Sequence, residues 1–131
     1  NMRSQLITKG TNTIILDAYN ANPSSMEAAI ENLAGMKAEK KVVILGDMFE
    51  LEGEAETEHK KIGELLLKKN FDGVCLCGKL MAFGKGAYPE ANHFETKETL
   101  SVFLKTNPIC DATILIKASR GIGLETVIEY L

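Results

Sequence analysis

The chain has 131 residues, of which 45% are hydrophobic and 25% are charged, and its formal net charge is −3. This composition predicts one globular domain with enough apolar side chains to form a core. The basic residues are dispersed along the chain, which argues against a nucleic-acid-binding surface. We expect no membrane association, since no apolar run approaches the roughly 20 residues of a membrane-spanning helix and no signal peptide is recognisable.

The order of apolar patterns predicts an α/β fold. A hairpin is expected first, because apolar runs at 6–7 and 13–16 flank a turn-rich link. Continuous apolar runs of the kind buried in a parallel sheet follow at 42–45, 74–77 and 112–116, with a brief strand at 93–94. Helical patterns lie between them at 24–36, around 62–66, at 80–86, at 96–105 and from 124 to 131. This alternation predicts a mostly parallel sheet with an antiparallel N-terminal edge hairpin.

The cysteines are expected to be buried structural residues. Cys75, Cys77 and Cys110 all lie in or beside apolar runs, and the first two alternate, so they project to the same face of a strand. Neither a CxxC motif nor a histidine at zinc-ligand spacing accompanies them. We therefore expect free thiols and a reducing, cytoplasmic compartment.

The most informative stretch connects the strand at 13–16 to the first helix. It is Asp17-Ala-Tyr-Asn-Ala-Asn-Pro-Ser-Ser-Met-Glu-Ala-Ala-Ile30, with proline where a first helical residue would lie. One candidate cap for this helix is Asn22; the other is Ser24, with Glu27 completing a capping box. Free amide groups at such a helix start lie at the carboxyl edge of the sheet, where α/β folds bind ligands.

Turn chemistry does not explain the tyrosine and the two asparagines of this stretch. Tyr19, Asn20 and Asn22 together suit stacking on a ring and hydrogen bonding to a ribose or a base edge. These residues therefore favour a ligand-binding turn over a purely structural one.

Polar residues also follow two other predicted strands. Asp47, after Gly46, suits accepting hydrogen bonds or holding a hydrated Mg²⁺, and its alternative is a helix-start acid that interacts with the helix dipole. The loop after 112–116 offers two cations and a hydroxyl, which suit a carboxylate or phosphate unless the turn is merely solvated: Lys117, Ser119 and Arg120. If the three strands are neighbours, their loops converge on one crevice.

Two apparent signals carry less weight. Residues 73–80 match GxxxxGK, but Leu80 replaces the Ser or Thr that holds Mg²⁺, and the intervening residues are strand-like rather than a loop. This is not a P-loop. His59 is expected to pack beside the core, with a catalytic role as the alternative, and no nucleophile–histidine set can be assembled from two scattered histidines.

Three motifs resemble signatures of the Mur ligase family, in the same order and at similar spacing. Residues 17–30 are similar to D-x-Y-N-A-N-P-x-S-M-x-A-A. Residues 45–51, with His59 and Gly63 beyond them, resemble L-G-D-M-x-E-L-G…H…G. Residues 117–125 resemble K-G-S-R-x-x-x-L-E. Two positions, 52 and 118, carry glutamate and alanine where the family usually has glycine.

The resemblance implies an ATP-dependent ligase of bacterial peptidoglycan precursor synthesis that adds D-alanyl-D-alanine to UDP-N-acetylmuramoyl-tripeptide. In the family, ATP phosphorylates the tripeptide carboxylate and the dipeptide amine attacks the acyl phosphate. Residues 1–131 would be the Rossmann-like, three-layer C-terminal domain of a monomeric three-domain enzyme. It would close over ATP and be inactive alone, because the central domain supplies the P-loop and most Mg²⁺ ligands.

By motif position, the resemblance also assigns site residues. The nucleotide-facing group comprises Arg3, Asp17, Tyr19, Asn20 and Asn22. The group facing phosphate and dipeptide comprises Asp47, Lys117, Ser119 and Arg120. No metal ligand and no certain catalytic residue is assigned to these 131 residues. A folate polyglutamyl ligase-like domain of the same superfamily, or a stand-alone nucleotide-binding module, are the alternatives.

Overall fold

The chain forms a six-stranded sheet with helices on both faces, in a computed structural model that describes residues 4–131. The strands are β1 (Gln5–Lys9), β2 (Asn12–Asp17), β3 (Lys41–Gly46), β4 (Gly73–Cys77), β5 (Asn92–Phe94) and β6 (Thr113–Lys117). The α-helices are α1 (Pro23–Gly35), α2 (Ala55–Lys69), α3 (Met81–Ala87) and α4 (Lys97–Thr106). Segments of 3₁₀-helix lie at Glu52–Glu54, Arg120–Ile122 and Leu124–Tyr130.

The strand order confirms the predicted fold class. It is β1-β2-β6-β3-β4-β5, in which β1 pairs antiparallel with β2 and every other pair is parallel. The hairpin turn contains Gly10, whose φ of +59° lies in the left-handed region that glycine adopts readily. The N-terminal hairpin therefore adds an antiparallel edge to a parallel sheet, as predicted.

Alternate residues of the central strands contribute to two separate cores. Val43 and Leu45 of β3 pack in the core that α1, α2 and α3 cover. Val42 and Ile44 pack on the opposite face, against α4 and the C-terminal 3₁₀ segment. Both faces of β3 are buried, which explains why the strand is a continuous apolar run rather than an alternating one.

Two sequence predictions about the C-terminal half need correction. The final segment is a 3₁₀-helix over Leu124–Tyr130 rather than an α-helix, since an i, i+3 apolar spacing suits both helix types. Cys110 is exposed, which contradicts the expected burial. It lies in the loop before β6, next to Asp111 with its left-handed φ of 57°.

Cys75 and Cys77 are buried, as predicted, and both belong to the core under α4. Burial raises the pKa of each thiol to about 12, so both thiols are protonated at neutral pH. Within the described residues, no helix combines the length and the apolar character needed to cross a bilayer.

Candidate functional site

The three polar loops predicted to converge do lie side by side. Strand β6 pairs with β2 on one side and with β3 on the other, so their carboxyl ends form one continuous edge. In this register, Lys117 lies opposite both Asp17 and Leu45. The prediction of a common crevice required these three strands to be neighbours. The strand order confirms that requirement.

A buried ion pair connects the first two loops. Lys117 Nζ lies 2.8 Å from Asp17 Oδ2, and these side chains are only 2% and 15% exposed. The same ammonium donates to the backbone carbonyl of Asn20 over 3.0 Å. Lys117 therefore holds the turn after β2 in place, rather than projecting into solvent.

The second carboxylate oxygen of Asp17 lacks a hydrogen-bond donor among the described residues. Asp17 Oδ1 is buried and has no hydrogen-bond partner among residues 4–131. A buried acceptor left without a donor costs about 1–3 kcal/mol. Such an atom at the carboxyl edge of the sheet is a candidate contact for a donor group on a ligand.

Asn22 caps α1. Its Oδ1 accepts from the Ser25 amide over 2.9 Å, and Ser25 Oγ accepts from the Asn22 amide over 3.1 Å. Of the two predicted caps, Asn22 is correct and the box of Ser24 and Glu27 is wrong, because Ser25 occupies the N3 position of the box. The cap uses the amide oxygen of Asn22, and the side-chain NH₂ group remains able to donate to a ligand.

A shallow hollow of about 180 Å³ lies above this edge. Four predicted site residues contribute to its wall: Tyr19, Asn20, Ser119 and Arg120. The guanidinium carbon of Arg120 lies 5.4 Å from the centre of the Tyr19 ring, whose residue is 53% exposed. The hollow therefore presents an aromatic face and a cation together, which suits an anionic ligand that carries a ring.

Three residues that were not predicted as site residues complete the hollow, two in the loop after β3 and one after β6. Phe49 and Glu50 follow β3 and Gly121 follows β6, and Phe49 is 42% exposed. The signal for Phe49 in the sequence was an aromatic residue inside a polar loop directly after a buried strand. Glu50 has a φ of 64°, so the loop after β3 turns through a backbone conformation that residues other than glycine adopt rarely.

Ser119 links this loop to β6. Its Oγ accepts a hydrogen bond from the Phe49 amide over 2.8 Å, and its own amide donates to the Asp47 carbonyl over 3.0 Å. Ser119 is 7% exposed and nevertheless lines the hollow. Its hydroxyl accepts from the protein and has a proton left to donate to a ligand.

Asp47 lies apart from the hollow and is only 4% exposed. Its carboxylate accepts from the Met81 amide over 2.8 Å and from the Leu80 amide over 3.2 Å, at the start of α3. These contacts favour the helix-start alternative, although the helix is α3, which follows the neighbouring strand β4, and not the helix that follows β3. A phosphate-facing role for Asp47 stays a prediction.

Burial raises the pKa of the Asp47 carboxyl above its ordinary value of 3.8, and the Leu80 and Met81 amides oppose this rise. Gly78 lets the loop approach closely: a Cβ there would lie 2.3 Å from the carboxylate, and its φ is +119°.

His59 is completely buried, which confirms that it packs beside the core. Its Nδ1 lies 2.7 Å from the Ala55 carbonyl, and its Nε2 accepts from the Met48 amide over 2.9 Å. Both ring nitrogens are thus occupied within the protein. Arg3 lies outside the described residues, and residues 4–131 contain no group of three or more acidic, histidine or cysteine side chains that could hold a metal ion.

The sequence profile described as "Mur ligase, glutamate ligase domain" matches residues 2–120. The chain belongs to the Mur ligase family. The resemblance of its three motifs to Mur ligase signatures is thereby confirmed.

Curated Mur ligases align with almost the whole chain. The UDP-N-acetylmuramoyl-tripeptide–D-alanyl-D-alanine ligase of Bacillus subtilis is 41% identical over 140 residues, covering 99% of this chain and 30% of the relative. The corresponding Escherichia coli ligase is 37% identical over 124 residues, covering 92% of this chain and 27% of the relative. The chain therefore spans about 30% of the length of these Mur ligases.

Solved Mur ligase structures share the fold. MurF from Acinetobacter baumannii superposes with a TM-score of 0.85 and 28% identity, covering 97% of this chain and 29% of that chain. MurF ligase from Thermotoga maritima, solved in complex with ADP, gives a TM-score of 0.81 and 27% identity, covering 98% and 30%. In this Mur ligase chain, the three motif loops all begin at the carboxyl ends of adjacent strands.

Proposed function

We propose that residues 1–131 form the C-terminal domain of a three-domain, ATP-dependent ligase that joins D-alanyl-D-alanine to UDP-N-acetylmuramoyl-tripeptide. The observation that carries this proposal is the convergence of the three motif loops on one sheet edge, in a chain 41% identical to such a ligase. Most of the enzyme lies outside these residues, since the relatives are about three times as long. The central domain would supply the P-loop and the Mg²⁺ ligands, so the domain alone would be inactive.

The nucleotide side of the proposal rests on Asp17, Tyr19 and Asn22. The unpaired, buried Oδ1 of Asp17 suits a hydroxyl donor, which the ribose of ATP provides. Tyr19 is 53% exposed and offers aromatic surface, and the side-chain NH₂ of Asn22, three residues further along the chain, is a donor. Asn20 and Arg3 belong to the same group by motif position. The ADP complex of the Thermotoga maritima relative supports nucleotide use.

The substrate side rests on Ser119 and Arg120. Arg120 is an exposed cation, and Ser119 has a hydroxyl proton to donate, so the two suit a carboxylate or phosphate oxygen. Lys117 would act indirectly, by holding Asp17 and the Asn20 carbonyl. When bound, ATP supplies the phosphoryl group that activates the tripeptide carboxylate, and these residues would bind and orient the reacting ends. We further propose a monomeric, cytoplasmic enzyme, consistent with three free cysteines.

The direct test is an assay of the full-length enzyme. The reading frame upstream of Asn1 should encode a P-loop, and ADP release should require the tripeptide precursor together with D-alanyl-D-alanine. Other dipeptides and glutamate serve as competing acceptors. Activity with a folate as the carboxylate substrate and glutamate as the amine would indicate a folate polyglutamyl-type ligase, and the absence of any ligase activity would indicate a non-catalytic nucleotide-binding module.

The role of Asn22 can be separated from its capping function. In the full-length ligase, Asn22→Ala should raise the KM for ATP and also weaken the start of α1, since losing such a cap costs about 1 kcal/mol. Asn22→Ser keeps a capping oxygen and removes only the NH₂ donor. If Asn22 contacts nucleotide, both variants raise the KM for ATP; a normal KM in Asn22→Ser would leave Asn22 with a purely structural role.

A further inference from the structure

His59 is a fully buried titratable side chain to which the proposed function gives no task. It lies in the first turns of α2. A backbone carbonyl can only accept, so the 2.7 Å contact with the Ala55 oxygen places the proton on Nδ1. The other nitrogen must then be unprotonated to accept from the Met48 amide. These two contacts hold a neutral ring in one tautomer and one orientation.

The contact between His59 and Met48 is connected to the hollow through the next residue, Phe49. The next amide, that of Phe49, donates to Ser119 Oγ over 2.8 Å. Two successive amides of the loop after β3 are therefore oriented by two side chains, one on α2 and one after β6. If the His59 acceptor is lost, Met48 has a buried unpaired amide and the adjacent Phe49 amide loses its alignment.

We infer that His59 is a positioning residue, which orients the Ser119 hydroxyl through the backbone of Met48 and Phe49. The inference rests on the proposed function, in which Ser119 donates to an anionic oxygen of the acceptor substrate or the acyl phosphate. The loop also contains Glu50 at a φ of 64°. A left-handed non-glycine residue persists only where surrounding contacts determine the backbone, and His59 and Ser119 supply such contacts.

The test uses the full-length ligase, with kinetics normalised to the folded fraction. His59→Leu removes the acceptor at similar volume, and kcat/KM for D-alanyl-D-alanine should fall roughly tenfold to a hundredfold, as for other small misplacements of reacting groups. The KM for ATP should stay within about twofold, because the nucleotide-facing residues lie on a different loop. His59→Gln, which retains an acceptor at a similar reach, should recover most of the loss.

A control separates positioning from general stability. Leu104→Ala removes a buried side chain of α4 on the opposite face of the sheet, so it should lower the unfolding temperature without changing kcat/KM of the folded enzyme. If His59→Leu does not fold, His59→Asn replaces it, since asparagine can still bond within α2 but is too short to reach Met48.

The deciding measurement is a double-mutant cycle with Ser119→Ala. If His59 acts through Ser119, the double variant loses no more activity than Ser119→Ala alone. Losses that multiply would overturn the inference, as would normal kinetics of folded His59→Leu. A wild-type enzyme without ligase activity would instead refute the proposed function, and the inference with it.

Discussion

Gly63 allows α2 to approach α3 at backbone distance. A Cβ at this position would lie 2.3 Å from the Gly84 carbonyl oxygen and 2.9 Å from the Ala87 Cβ. Gly84 is itself buried against α2, where its own Cβ would lie 3.2 Å from the His59 carbonyl oxygen. This close packing positions α2, the helix that carries His59. A glycine far from the hollow therefore helps to determine the geometry of the loop after β3.

We predict that Gly63→Ala destabilises the chain by about 1–3 kcal/mol, the usual cost of overpacking a close contact. Gly86→Ala is the matched control, since it lies in α3 with nothing within 4 Å of the added methyl group. This control should stabilise the chain by about 0.5–1 kcal/mol, because alanine favours helix. Urea denaturation measures both changes, and equal effects of the two substitutions would contradict the close-packing argument.

At the scale of elements, α3 depends on a cap from a distant part of the chain. The helix has only seven residues, two of them glycines in its interior, and its N-cap residue Leu80 makes no side-chain capping bond. The Asp47 carboxylate performs this function from the end of β3. Asp47 thereby ties the loop after β3 to the loop after β4, since helix amides favour a negative group.

The raised pKa of Asp47 has a definite consequence for stability. Because the folded chain holds this proton more strongly than the unfolded chain, the contribution of Asp47 is complete below pH 3.8 and is lost as the pH rises through the folded-state pKa. Asp47→Asn cannot titrate and keeps one acceptor oxygen. We therefore expect the stability deficit of Asp47→Asn, relative to wild type, to shrink as the pH rises from 4 towards 7.

Urea unfolding of both proteins at each pH measures this difference, and all other carboxylates cancel in the comparison. Stability profiles that stay parallel over this range would show that Asp47 has no raised pKa.

For the whole molecule, thiol reactivity reports whether the core between the sheet and α4 is intact. Cys110 is exposed, whereas Cys75 and Cys77 are buried under α4 with thiol pKa values of about 12. We predict that the folded chain reacts with a disulfide reagent at one cysteine near pH 8 and at all three in denaturant. Mass spectrometry of the modified chain identifies the site, and rapid native modification of Cys75 would contradict the described core.

Sequence patterns alone determined most of the secondary structure and the sheet edge on which the candidate site lies. The apolar runs of β3, β4 and β6, the hairpin and the Asn22 cap are local features, because burial on both faces and capping each act within a few residues. The motif residues Tyr19, Asn20, Ser119 and Arg120 were recognisable because each follows a predicted strand. Family membership followed from the same motifs.

Tertiary structure decided which polar groups have partners. Asp47 bonds to amides more than 30 residues away, and Lys117 lies against Asp17 from 100 residues away, and neither pairing has a local signature. The exposure of Cys110 and the contact between His59 and Met48 likewise depend on how separate segments pack. Short-range periodicity specifies strands and helices, but only the sheet order brings distant donors and acceptors together. For that reason, the sequence predicted the sheet edge of the candidate site, and packing determined which residues face that edge.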